Sequence, residues 1–89
     1  MNEYFPLVLT IAGSDSGGGA GIQADLRTFH AFKVYGCSVV TAVTSQNPWE
    51  VRRADILPKE SVGAQFESIL AAFPVKAAKT GMLANRELV

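Results

Sequence analysis

Five glycines and two serines crowd the fourteen residues AGSDSGGGAGIQAD, positions 12–25, between an apolar run and the onset of a helical pattern. Glycine weakens any helix or strand it interrupts, so a cluster this dense answers a local need: a tight turn, a close packing contact or a ligand. Two familiar phosphate chemistries are disfavoured by spacing. A P-loop requires G-x-x-x-x-G-K-[ST], whereas Gly13 is followed by Gly18-Gly19-Ala20 with no lysine to reach a phosphate. A dinucleotide fingerprint begun at Gly17 meets Ile22 at its last glycine, and no acidic residue follows about 20 positions on in a strand context, which argues against a nicotinamide cofactor. What remains is a turn whose bare amides and helix N-terminus receive a polar ligand or an anion, or else a turn that serves packing alone.

Gln46 carries a different chemistry. A neutral amide presents an acceptor and two donors in one plane, matching the donor–acceptor edge of a heterocycle without demanding a charge; the alternative is an amide satisfying loop backbone. Asp25, in the first turns of the expected helix, is favoured there by the helix dipole, and a site role stands level with that one. For Asp15 a capping role takes precedence. Met82 after Gly81 offers an adaptable apolar wall for an aromatic ring, or plain core. Lys79 faces either a phosphate or solvent. Cys37 reads as a small buried side chain rather than a nucleophile, and His30 as a surface or packing residue without a second ligand at i+3 or i+4.

The elements that position these residues follow from hydropathy. Leu7–Ala12 (LVLTIA) is a near-continuous apolar run suited to a strand buried on both faces. Ile22, Leu26 and Phe29 form an amphipathic stripe that predicts a helix from Ala20 to near Tyr35-Gly36. Cys37–Thr44 reads as a second buried strand, Asn47-Pro48 as a turn and Arg52–Leu57 as a short, more exposed strand. Val62, Phe66, Ile69, Leu70 and Phe73 predict a helix opened by Pro58 or Ser61 and stopped by Pro74. Val75–Lys79 is the third principal strand, and Asn85–Val89 opens a further helix. Strands alternating with helices imply parallel βαβ units, in which ligands bind beyond the carboxyl ends of the strands. The glycine cluster, Thr44-Ser45-Gln46-Asn47 and Thr80-Gly81-Met82 all fall on that edge, which points to a small-molecule site.

Composition bounds the class. Eighty-nine residues make one small domain or part of a larger one, and eight basic against eight acidic side chains, with no run of one sign, give no nucleic-acid or membrane surface. The single cysteine excludes an internal disulfide framework. The N-terminus, with Glu3 and no basic segment before a short apolar run, does not read as a signal peptide, and a cytoplasmic location is expected.

Taken together, LTIAGSDSGGGAGIQADLRTF, YGCSVVTAVTSQN and KTGML closely resemble, in order and spacing, the N-terminal part of the hydroxymethylpyrimidine/phosphomethylpyrimidine kinases of thiamin biosynthesis. The resemblance implies the N-terminal portion of a three-layer α/β/α ribokinase-like fold with a mostly parallel sheet. It implies phosphorylation of 4-amino-5-hydroxymethyl-2-methylpyrimidine and its monophosphate, with ATP and Mg²⁺ bound mainly by a C-terminal part beyond these residues. It also implies that Gln46 matches the family's pyrimidine-recognising glutamine, that Gly13, Ala20, Thr44 and Met82 line the same pocket, and that Asp25 matches an acidic residue near it. No catalytic residue is expected within residues 1–89, which read as the substrate-binding part of a single domain, inactive alone and marginally folded with an uncovered sheet edge. Homodimers are common in the superfamily. Pro48 and Trp49 depart from the threonine and short polar turn common in the family. The alternatives are a pyridoxal-type kinase and a non-catalytic module binding a small heterocycle.

Overall fold

The computed structural model describes residues 6–81 and Leu83; Met82 and the helix expected at Asn85–Val89 lie outside the described residues. Strand β1 (Leu7–Asp15) runs through the middle of a four-stranded sheet of order β3-β2-β1-β4. It pairs in parallel with β2 (Tyr35–Asn47) and with β4 (Ala77–Thr80), while β3 (Glu50–Ile56) turns back antiparallel on β2. The two central strands extend beyond their apolar runs, because backbone pairing carries β1 into Ser14 and Asp15 against β2, and carries β2 through Ser45, Gln46 and Asn47 against β3.

Alternation along β1 assigns the two helices to opposite faces. Leu7 and Leu9 join Cys37 and Val39 in the core, against Val62, Phe66 and Ile69 of α2 (Lys59–Ala72). Thr10, on the other face, hydrogen-bonds Asp25 of α1 (Gly21–Ala31). The layering is therefore α/β/α around a mostly parallel sheet. Of the predicted α2 stripe, Leu70 is exposed while its companions pack inward. Pro58 is the residue that opens α2, and Phe73 before Pro74 is forced into extended backbone (φ −125°, ψ 132°), which ends it.

Helix α1 stops at Ala31, short of the predicted Tyr35-Gly36 boundary. Lys33 adopts φ 58°, its N–H donates to His30 O, and the Val34 N–H donates to Phe29 O, which is the hydrogen-bond pattern of a Schellman ending. Lysine in place of the usual glycine hides this stop from a reading of composition. Gly36 then begins the inward packing of β2: a Cβ there would lie 2.8 Å from Phe29 Cδ2 and 2.9 Å from Leu26 Cδ2, so only a bare backbone lets α1 settle on the strand.

Strand β3 starts earlier than predicted, at Glu50, because Asn47 Oδ1 accepts the Trp49 and Glu50 N–H groups and closes a tight hairpin. Strand β4 is shorter than the strand predicted over Val75–Lys79 and is exposed along its length, since no neighbour pairs with its outer edge among the described residues. Among the described residues, no helix is long and apolar enough to cross a membrane.

Candidate functional site

At the carboxyl end of β1 the chain must turn sharply into α1, and Asp15 organises that turn. Its Oδ1 accepts the Gly17 N–H at 2.8 Å, its Oδ2 accepts the Ala20 N–H at 2.9 Å, and its carbonyl accepts the Gly18 N–H at 2.9 Å. This is the structural role expected of Asp15, although its carboxylate holds the turn and the amide of Ala20 rather than the first turn of the helix. Gln23 locks the same turn from α1, accepting the Asp15 N–H and donating to Ser14 Oγ. Arg27 donates to Gly18 O at 2.5 Å. Gly21, at φ +59°, sits where a Cβ would run into Gly13 O, so the first helical residue must be glycine for the turn to close over the strand end.

Two bulges re-aim the neighbouring strands beside this turn. Between Ala12 and Ser14 of β1, β2 carries one extra residue, and between Ser45 and Gln46 of β2, β3 carries one. Thr44 then donates its hydroxyl to Ser14 O at 2.7 Å, tying the two strand ends together. Gln46 follows at the mouth. Its side chain forms no hydrogen bond with the described residues.

Between these strand ends lies an open cleft of about 240 Å³. Gly13, Ala20, Thr44 and Gln46 all border it, with Asp15 and Gly21 of the turn and with Lys79 and Gly81 at the end of β4. The structure thus brings together four of the six residues singled out by resemblance. Met82 lies outside the described residues. Asp25 does not border the cleft; it reaches it through Lys79, whose ammonium lies 3.0 and 2.8 Å from the two carboxylate oxygens. The fully buried Thr10 adds a hydroxyl at 2.6 Å. Burial pushes the Asp25 carboxyl up, but the hydrogen bonds from Lys79 and Thr10 and the lysine's charge outweigh it, and the pKa lies below its ordinary value. Cys37 is buried in the core, where desolvation pushes its thiol pKa up and leaves it a poor nucleophile.

The first turn of α1 has no side-chain cap and no acidic residue, and Ala20 and Gly21 at its start border the cleft, so backbone amides of that first turn are left without side-chain partners beside it. With the Gln46 amide opposite, the cleft offers directional hydrogen bonds to a small, flat, polar molecule. Thr10 and Ser16, which serve this arrangement, escaped the sequence reading because a hydroxyl's partner 15 or 30 residues away leaves no local pattern.

The fold and motifs recur in known proteins. The hydroxymethylpyrimidine/phosphomethylpyrimidine kinase of Streptomyces coelicolor is 60% identical over 84 residues, covering 94% of this chain and 31% of the relative. A crystal structure of phosphomethylpyrimidine kinase from Clostridium difficile superposes with TM-score 0.89 at 49% identity, covering 92% of this chain and 38% of that one. Bacillus subtilis pyridoxal kinase, in an ADP complex, gives TM-score 0.87 at 40% identity, covering 94% and 33%. The chain therefore spans about a third of the length of the relatives it matches. A family model for phosphomethylpyrimidine kinase matches residues 15–89, from the aspartate that organises the glycine turn, through Gln46, to Val89. By that match, this chain belongs to the phosphomethylpyrimidine kinase family.

Proposed function

We propose that these residues form the N-terminal, substrate-binding part of a cytoplasmic kinase that phosphorylates 4-amino-5-hydroxymethyl-2-methylpyrimidine and its monophosphate with ATP. The observation that carries this reading is the amide of Gln46, without a partner among the described residues, beside Gly13 and Ala20 in one cleft. An aminopyrimidine edge offers a donor and an acceptor side by side, which a planar carboxamide matches in a single orientation. Ala20 and the glycine turn let the ring approach backbone amides, Thr44 holds the strand ends at the required separation, and Met82 supplies an apolar wall. Asp25, kept ionised by Lys79 and Thr10, sets the charge beside the cleft through Lys79.

Phosphoryl transfer rests on positioning and on stabilising charge around the transferred group. The described residues do not fit a nucleotide and metal site: the turn has no P-loop lysine, and the Asp15 carboxylate is occupied by the amides of Gly17 and Ala20. ATP and Mg²⁺ are bound mainly by the longer part of the kinase. A homodimer is compatible with this division.

The second reading, a pyridoxal-type kinase, is favoured by the 40% identity and TM-score of 0.87 with Bacillus subtilis pyridoxal kinase. Turnover of the two alcohols by the full-length protein separates them. A kcat/KM for the pyrimidine alcohol above that for pyridoxal supports the main reading; the reverse order replaces it.

A further inference from the structure

One side chain joins the glycine turn to the strand that carries Gln46. Ser16 Oγ accepts the Gln46 N–H at 2.7 Å and donates to the Gln46 carbonyl at 2.7 Å. Pairing of β1 with β2 ends at Asp15 and Thr44, so this hydroxyl extends the ladder one step past the end of the strand. On its other edge Gln46 is paired with Val51 of β3, next to the bulge. The turn also presses on the same spot: a Cβ on Gly17 would lie 3.2 Å from Asn47 Cα and 3.3 Å from Gln46 O.

The backbone of Gln46 is thus clamped from both sides while its amide stays unpartnered among the described residues and borders the cleft. A group whose backbone is fixed before the ligand arrives loses less freedom on binding, and its hydrogen bonds form at one angle. We propose that Ser16 is a positioning residue for Gln46, holding its carboxamide in the plane of the bound heterocycle. This rests on the reading of Gln46 as the residue that recognises the ring. Both Ser16 bonds lie at the exposed mouth of the cleft, where water replaces them if the hydroxyl is removed, so the fold does not depend on them.

A double-mutant cycle on the full-length protein tests the proposal, with the Kd for 4-amino-5-hydroxymethyl-2-methylpyrimidine read by calorimetry. Ser16→Ala is expected to weaken binding about 5- to 10-fold, the scale of one neutral hydrogen bond, with Ser16→Thr restoring it. If Ser16 acts through Gln46, adding Ser16→Ala to Gln46→Ala changes the Kd no further. Additive losses in the double variant, or wild-type affinity in Ser16→Ala while Gln46→Ala is weakened, overturn the positioning role and leave the function intact. Wild-type affinity in Gln46→Ala overturns the reading of the ring site and the positioning role with it.

Discussion

Asp25 is gripped by donors from two different strands, the buried hydroxyl of Thr10 and the ammonium of Lys79, 54 residues away in sequence. Because its folded pKa is depressed, its contribution to stability is fully present above the ordinary carboxylate value of about 3.9 and is lost as pH falls through the lower folded value. Asp25→Asn is accordingly expected to cost stability at pH 7 and progressively less below about pH 4. Lys79 is 52% exposed, so solvent screening keeps that cost to about 1 kcal/mol or less, read by urea unfolding across pH. A stability gap between the two proteins that does not narrow in acid would contradict the ion-pair account. The sequence placed Gly13 after the first strand, Ala20 at the start of the helix, and Thr44 and Gln46 at the end of the second strand, because apolar runs bounded by glycine and polar residues mark where parallel strands stop. It left Lys79 between phosphate and solvent, since nothing local to β4 announces a carboxylate on α1.

Helix and strand ends reveal where local chemistry is decisive and where it is hidden. Pro74 announces the stop of α2, whereas Lys33 conceals the stop of α1 in a left-handed conformation that composition does not flag. Lys33→Gly is expected to stabilise the protein by about 0.5 to 1 kcal/mol, the cost of a Cβ in that conformation less the entropy glycine adds to the unfolded chain. A lower melting temperature would refute the assignment. Gln65 of α2 supplies a second hidden device. Its amide accepts the Val40 N–H and donates to the Val40 carbonyl, both at 2.8 Å, on the stretch of β2 that β3 does not reach. The side chain stands in for a neighbouring strand. Gln65→Ala is expected to cost about 1 to 3 kcal/mol and to speed hydrogen exchange at the Val40 amide; unchanged exchange there would show that the edge needs no such cover.

Among the described residues, two helices cover the central strands and leave the flanks of the sheet bare. Strand β4 is exposed along its length, and Trp49 at the β2–β3 hairpin is 88% exposed. A chain spanning about a third of its relatives' length, with an open edge beside a partial core, is expected to fold only marginally as an isolated 89-residue polypeptide, by about 5 kcal/mol or less. A denaturant midpoint equal to that of the full-length protein would contradict this. The parallel arrangement was legible because strands alternate with helices. The antiparallel return of β3 rests instead on Asn47, whose side chain closes the hairpin. Recognition of the ring falls to Gln46, and the most direct measurement of it is calorimetry of the full-length protein with 4-amino-5-hydroxymethyl-2-methylpyrimidine. Gln46→Ala is predicted to weaken binding by about 1 to 3 kcal/mol, roughly 5- to 150-fold in Kd, and an unchanged Kd would contradict the account.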